Sequence, residues 1–113
     1  MEPRDWGEVQ IEVDRIVAES PEPFDPSTVA NARELISICR ARCPLPSEVT
    51  KGYWSTVSLS WPSFEIEVCE DRLEVYHFKD KSTDIWYEMH KPSEVFSDRF
   101  LNDLPKIAVL PKE

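Results

Sequence analysis

VSLSWPSFEIEVCEDRLEVYHF, residues 57–78, is the stretch whose reading decides the fold. Apolar side chains fall on every second position: Val57, Leu59 and Trp61, then Phe64, Ile66 and Val68, then Leu73 and Val75. Ser58, Ser60, Glu65, Glu67, Glu74 and Tyr76 occupy the positions between them. Side chains of a strand point alternately to its two faces, so this pattern predicts antiparallel strands with one oily side. Pro62-Ser63 suits a two-residue turn, with proline at its second position, and Glu70-Asp71 suits another. Trp61 then faces Phe64, Leu59 faces Ile66, and Val57 faces Val68. The second turn sets Val68 against Leu73 and Ile66 against Val75. A slip of one residue would send every side chain to the other face, so the agreement tests the register.

Working outward, the first alternation reaches back to Tyr53, giving strands over about 53–61, 64–69 and 72–78. A fourth is predicted over 84–89, where Ile85, Tyr87 and Met89 alternate with Asp84, Trp86 and Glu88. An odd-numbered loop within 79–83 would set Leu73 against Met89, Val75 against Tyr87 and His77 against Ile85. The opposite face then carries the rows Ser60–Glu65–Tyr76–Trp86, Ser58–Glu67–Glu74–Glu88 and Thr56–Cys69–Arg72–His90. His77 joins the inner face and His90 ends its strand exposed.

Helices flank this sheet. Asp5 and Glu8 form a capping-box pair, followed by Trp6, Val9, Val13, Ile16 and Val17 at helical spacing. Asp25 caps a second helix with Pro26 in its first turn, and Val29, Ala32, Ile36, Cys39 and Cys43 form its apolar stripe. Pro44-Leu45-Pro46 ends it. A third helix is expected after Pro92, capped by Ser93 and running to about Asp103, with Phe96, Phe100 and Leu104 on one side. Ile107 to Leu110 forms a short apolar tail between Pro105 and Pro111, fit for an edge strand or for packing. The predicted fold is α+β: a four-stranded antiparallel meander packed on one face by two N-terminal helices and one C-terminal helix.

Length and charge bound the function. A chain of 113 residues fits one domain. No apolar run reaches the ~20 residues of a membrane span, and the amino terminus lacks a signal-like basic and apolar pair of segments, so a cytoplasmic protein is expected. Three cysteines without CxxC spacing read as reduced thiols. The net charge is −9, and residues 1–25 carry eight acids against two bases. A field of this sign disfavours nucleic acids and anionic membranes as direct ligands and favours basic protein surfaces.

The candidate site is the outer sheet face: Glu65, Glu67, Glu74, Tyr76, Trp86 and Glu88. Glu67, Glu74 and Glu88 side by side repel one another by about 0.2–1 kcal/mol per opposed pair. A basic partner would relieve them, and Tyr76 and Trp86 add aromatic area of the kind enriched at interfaces. The expected function is therefore a non-enzymatic interaction module, in the manner of an antitoxin, immunity or inhibitor protein. Two alternatives stand beside it, an acidic nucleic-acid mimic and a small metal-dependent enzyme. Cys39 and Cys43, one helical turn apart, could serve as soft ligands with His77 or Cys69, although both fall on the apolar stripe. With Gly7 and Gly52 as the only glycines, no phosphate-cradling loop is present. No cofactor is expected.

Pro44-Leu45-Pro46, Ser58-Leu59-Ser60-Trp61 and Phe64-Glu65-Ile66-Glu67-Val68 follow one another as helix end, strand and strand. Over residues 26–89 this order resembles a loose family of small uncharacterised bacterial α+β proteins. Pro62-Ser63 stands where that family carries a glycine-rich hairpin. The resemblance implies the fold and no activity, so it assigns no functional residues.

Overall fold

A computed structural model describes residues 2–109, with side chains through Leu104. The described residues form α1 (Trp6–Glu19), α2 (Pro26–Arg42), β1 (Glu48–Lys51), β2 (Val57–Trp61), β3 (Phe64–Val68), β4 (Arg72–Phe78), β5 (Thr83–Met89) and α3 (Asp98–Val109). The strands lie in the order β1-β2-β3-β4-β5, each antiparallel to the next.

Local chemistry accounts for the first two helices. The Asp5 carboxylate accepts from the Glu8 N–H at 2.9 Å and begins α1. Glu8 does not return the bond to Asp5; its carboxylate accepts instead from the Arg4 N–H at 2.7 Å. Asp25 caps α2 through the Ser27 N–H at 2.8 Å, with Pro26 in the first turn, where a missing N–H is harmless. Val9, Val13 and Ile16 of α1 and Ala32, Leu35, Ile36 and Cys39 of α2 are buried in one core with the sheet.

The register across β2, β3 and β4 is the one that alternation requires. Trp61 faces Phe64, Leu59 faces Ile66, Val57 faces Val68, Ile66 faces Val75 and Val68 faces Leu73. Three features differ from expectation. The sheet has five strands, not four, because Glu48–Lys51 pairs with β2 through Val49↔Leu59. Four residues after a proline break are too few to show a period. In turn, β2 starts at Val57, and residues 53–56 belong to the connection from β1.

The second difference is the register of β5. The connection from β4 has four residues, Lys79 to Ser82, closed by the Lys79 N–H donating to the Ser82 carbonyl at 2.8 Å. An even loop reverses the expected faces: Leu73 pairs with Glu88, Val75 with Trp86 and His77 with Asp84. Ile85, Tyr87 and Met89 therefore point outward, while Trp86 and Glu88 point toward the helices. Two interactions favour this arrangement. The Trp86 ring meets Phe100 edge-on at 6.1 Å and lies under the Arg99 guanidinium at 4.1 Å. The buried Glu88 carboxylate accepts from Ser97 N–H at 2.7 Å and from Ser97 Oγ at 2.6 Å. An indole and a satisfied carboxylate thus displace three apolar side chains that an edge strand tolerates in water.

The third difference is the start of α3. Ser97, not Ser93, is the cap, and its Oγ accepts from the Phe100 N–H at 3.1 Å. Residues 90–96 instead fold as a turn against α2. Ser93 adopts φ 75°, left-handed backbone that is uncommon for serine, and its N–H donates to Glu34 Oε2 at 2.8 Å. Phe96, Phe100 and Leu104 are buried as the stripe predicted. Residues 107–109 continue α3 and form no strand, whereas Leu110 and Pro111 lie outside the described residues.

Candidate functional site: an acidic and aromatic cleft

The outer sheet face is built by the rows Glu48–Ser60–Glu65–Tyr76–Ile85 and Thr50–Ser58–Glu67–Glu74–Tyr87. Glu65, Glu67, Glu74 and Tyr76 share this face, as alternation predicted. Trp86 and Glu88 do not, because the four-residue β4–β5 connection turns them inward. Tyr87 takes the place assigned to Glu88 beside Glu74.

Glu67 and Glu74 face each other directly across β3 and β4. Their repulsion is relieved within the protein. Glu74 accepts from Arg72 Nε at 2.9 Å and from the Tyr76 hydroxyl at 2.8 Å. Glu67 accepts from the Thr56 hydroxyl. The Arg72 guanidinium also pairs with Asp71 at 2.8 Å and lies over the Tyr87 ring at 5.7 Å.

Glu67, Cys69, Arg72, Glu74 and Tyr76 floor an open cleft of about 1070 Å³. One wall is the α1–α2 linker, contributing Glu22, Pro23, Phe24 and Asp25; the other is the β1–β2 connection, with Tyr53, Trp54, Ser55 and Thr56. Glu22, Asp25, Glu67, Glu70 and Glu74 bring five carboxylates to the lining, against the two bases Lys51 and Arg72. Both bases already have partners: Lys51 Nζ donates to the Trp54 carbonyl at 2.9 Å, and Arg72 is held as above. Tyr53 and Trp54 are 84% and 70% exposed and pack edge-on at 4.6 Å. Two large rings held open to water at the rim of an acidic hollow are the main feature alternation missed. Reading Tyr53 as the start of a strand concealed them, and the glycine beside them was the available signal of a turn.

Gly52 fixes this wall. Its N–H donates to the Thr56 carbonyl at 2.9 Å, and a Cβ there would overlap Thr56 Oγ1 and lie 2.5 Å from Glu67 Oε2. Only a residue without a side chain lets the connection settle on the glutamate below.

Burial shapes the acidity of the floor. The buried Cys69 thiol is pushed up to about 12, first by desolvation and then by the charge of Glu74. Desolvation and the hydrogen bond to Glu74 raise the Tyr76 phenol as well. Both groups keep their protons longer in the folded chain than in the unfolded one, so their contribution is intact below the unfolded pKa and fades above it. Stability is expected to fall as pH rises from about 9 toward 12, by roughly 1.4 kcal/mol per pH unit for Cys69 alone. Chemical denaturation across that range should show a slope that Cys69→Ala reduces by one proton. An unchanged slope in that variant would remove Cys69 as the source.

The remaining candidates lie elsewhere. Cys39, Cys43 and Cys69 are free thiols. Cys39 holds its proton and hydrogen-bonds Cys43, whose thiol is lowered by that bond. His77 stacks on Phe64 at 4.3 Å. His90, expected to be exposed, is buried between α2 and Phe96: its Nε2 meets Glu34 Oε1 at 2.8 Å and its ring stacks at 4.1 Å. Among the described residues no group of three or more His, Cys, Asp or Glu is arranged to hold a metal ion. No described helix is long and apolar enough to cross a membrane. Comparison with protein-family models, curated proteins and solved structures finds no match for the chain.

Proposed function

We propose that the protein is a non-enzymatic interaction module whose cleft receives a basic segment of a partner protein, as an inhibitor or immunity protein would. The observation that carries this reading is the pairing of five lining carboxylates with two rim aromatics that are open to water. Carboxylates attract a lysine or arginine side chain at long range, and Tyr53 and Trp54 offer ring faces on which a guanidinium stacks. Hydrogen bonds from Arg72, Tyr76 and Thr56 hold Glu67 and Glu74 in place before a ligand arrives. That preorganisation lowers the ordering cost of binding.

The test is titration of Trp54 fluorescence with oligo-arginine and oligo-lysine peptides. Saturable binding should weaken with salt, because the attraction is screened. Glu67→Gln with Glu74→Gln keeps the side-chain shapes and much of the hydrogen bonding while removing two charges. It should weaken binding at least tenfold, about 1.4 kcal/mol, with the circular dichroism spectrum unchanged. Equal binding by the double variant would defeat the proposal, and so would an absence of saturable binding at low salt.

A further inference from the structure

The two edges of the sheet are finished differently. β1 is four residues long and carries Glu48 and Lys51, a short charged edge that discourages pairing. β5 is seven residues long, and its Ile85, Tyr87 and Met89 are 53%, 57% and 64% exposed.

The backbone of β5 has a definite direction. The His90 N–H donates to the Asp71 carbonyl at 3.1 Å, and the Ser82 carbonyl receives the Lys79 N–H at 2.8 Å. Even-numbered residues thus bond toward β4. Alternate residues of an antiparallel strand bond to opposite sides, so the N–H and C=O groups of Thr83, Ile85, Tyr87 and Met89 project from the open edge. Among the described residues these groups have no backbone partner on that side. The residues with exposed apolar side chains are therefore also the ones with free backbone groups.

We propose that β5 pairs with β5 of a second copy, antiparallel about a two-fold axis at Tyr87, joining two five-stranded sheets into one of ten strands. Opposed residues must lie on the same face, which limits the symmetric registers. With Tyr87 at the axis, Tyr87 faces Tyr87 and Ile85 faces Met89 twice, so every exposed apolar residue of β5 gains an apolar partner. These are the residues whose backbone groups face outward, so the same register closes the ladder. Centring on Trp86 would set Asp84 against Glu88, and centring on Glu88 would set that glutamate against itself. In chains of net charge −9 each, the Tyr87 register is the one of the three that opposes no two acids. A pair of seven-residue strands makes a contact smaller than the about 1,200 Å² at which standard stable interfaces begin, which fits a weak dimer of micromolar affinity.

Sedimentation equilibrium from about 0.1 µM to about 1 mM tests this, a range that brackets a micromolar Kd. The mass should rise from 13.2 kDa toward twice that value, and added salt should strengthen association by screening like charges. The salt response has the opposite sign to that of the acidic cleft with a basic peptide, so the two proposals fail independently. Ile85→Lys with Met89→Lys changes only exposed side chains and should leave a monomer at about 1 mM, a shift of at least about 100-fold in Kd. Directly opposed residues bring their Cα atoms to about 5.5 Å, within disulfide reach, so Tyr87→Cys should cross-link to itself. Ile85→Cys should not cross-link to itself, but should cross-link with Met89→Cys in a mixture. A wild type that stays monomeric, a dimer unaffected by the lysine substitutions, or equal self-cross-linking of Tyr87→Cys and Ile85→Cys would each overturn the proposal.

Discussion

Phe100→Ala is expected to cost about 3–5 kcal/mol of folding free energy, read as a lowered denaturant midpoint at unchanged slope. Phe100 is 1% exposed and fills the space where α3 meets the sheet. Its ring stacks on Phe96 at 5.2 Å and meets Trp86 at 6.1 Å. The substitution removes both ring contacts and leaves a cavity between α3 and the sheet, the two terms that set the cost. A domain of this size is stable by about 5–15 kcal/mol, so one substitution removes a large share. The loss should be visible at Trp86, whose emission shifts to the red as water reaches the indole. Because β5 already exposes three apolar residues, uncovering its other face should also promote aggregation. A cost below about 1 kcal/mol would mean that α3 does not close the core.

Asn31→Leu should cost about 3 kcal/mol or more, although leucine is close in volume and more apolar. Asn31 is fully buried on α2, and its Nδ2 donates to the carbonyls of Cys69 at 3.1 Å, Glu70 at 3.2 Å and His90 at 3.2 Å. Leucine would leave three carbonyls without that donor, and an unsatisfied buried polar group costs about 1–3 kcal/mol. One amide thus ties the β3–β4 turn and the end of β5 to α2. The same turn carries Glu70 and Arg72 of the cleft. Amide hydrogen exchange should accelerate first at Cys69, Arg72 and His90 in this variant. Asn31→Asp should be at least as damaging, since it points carboxylate oxygens at carbonyl oxygens. Wild-type stability in Asn31→Leu would show that water or a shifted backbone satisfies these groups equally well.

A buried histidine lies beside Asn31. His90 Nε2 lies 2.8 Å from Glu34 Oε1, and the other oxygen of Glu34 accepts from the Ser93 N–H. Among the described residues His90 Nδ1 is buried without a partner. The histidine is thereby a structural clasp between α2 and the 90–96 turn. Neither its spacing nor its type distinguishes that role from an exposed residue at a strand end, which is how position alone placed it.

Alternation in residues 57–78 determined the central three strands down to individual pairs, because one oily face admits a single register once two-residue turns are chosen. It also placed Glu65, Glu67, Glu74 and Tyr76 on one side, and the capping residues Asp5 and Asp25 marked the starts of α1 and α2. The register of β5 was decided by tertiary structure. Residues 84–89 are amphipathic in either phase, with Ile85, Tyr87 and Met89 on one side and Trp86 on the other. The choice fell to Phe100, Arg99 and Ser97, which lie nine to fourteen residues downstream of the side chains they meet and reward an inward Trp86 and Glu88. Burial of His90 and the cleft walls around Glu67 depended likewise on contacts between segments far apart in the chain. Local periodicity reports which face is oily; it does not record which distant side chain arrives to satisfy a polar group on it.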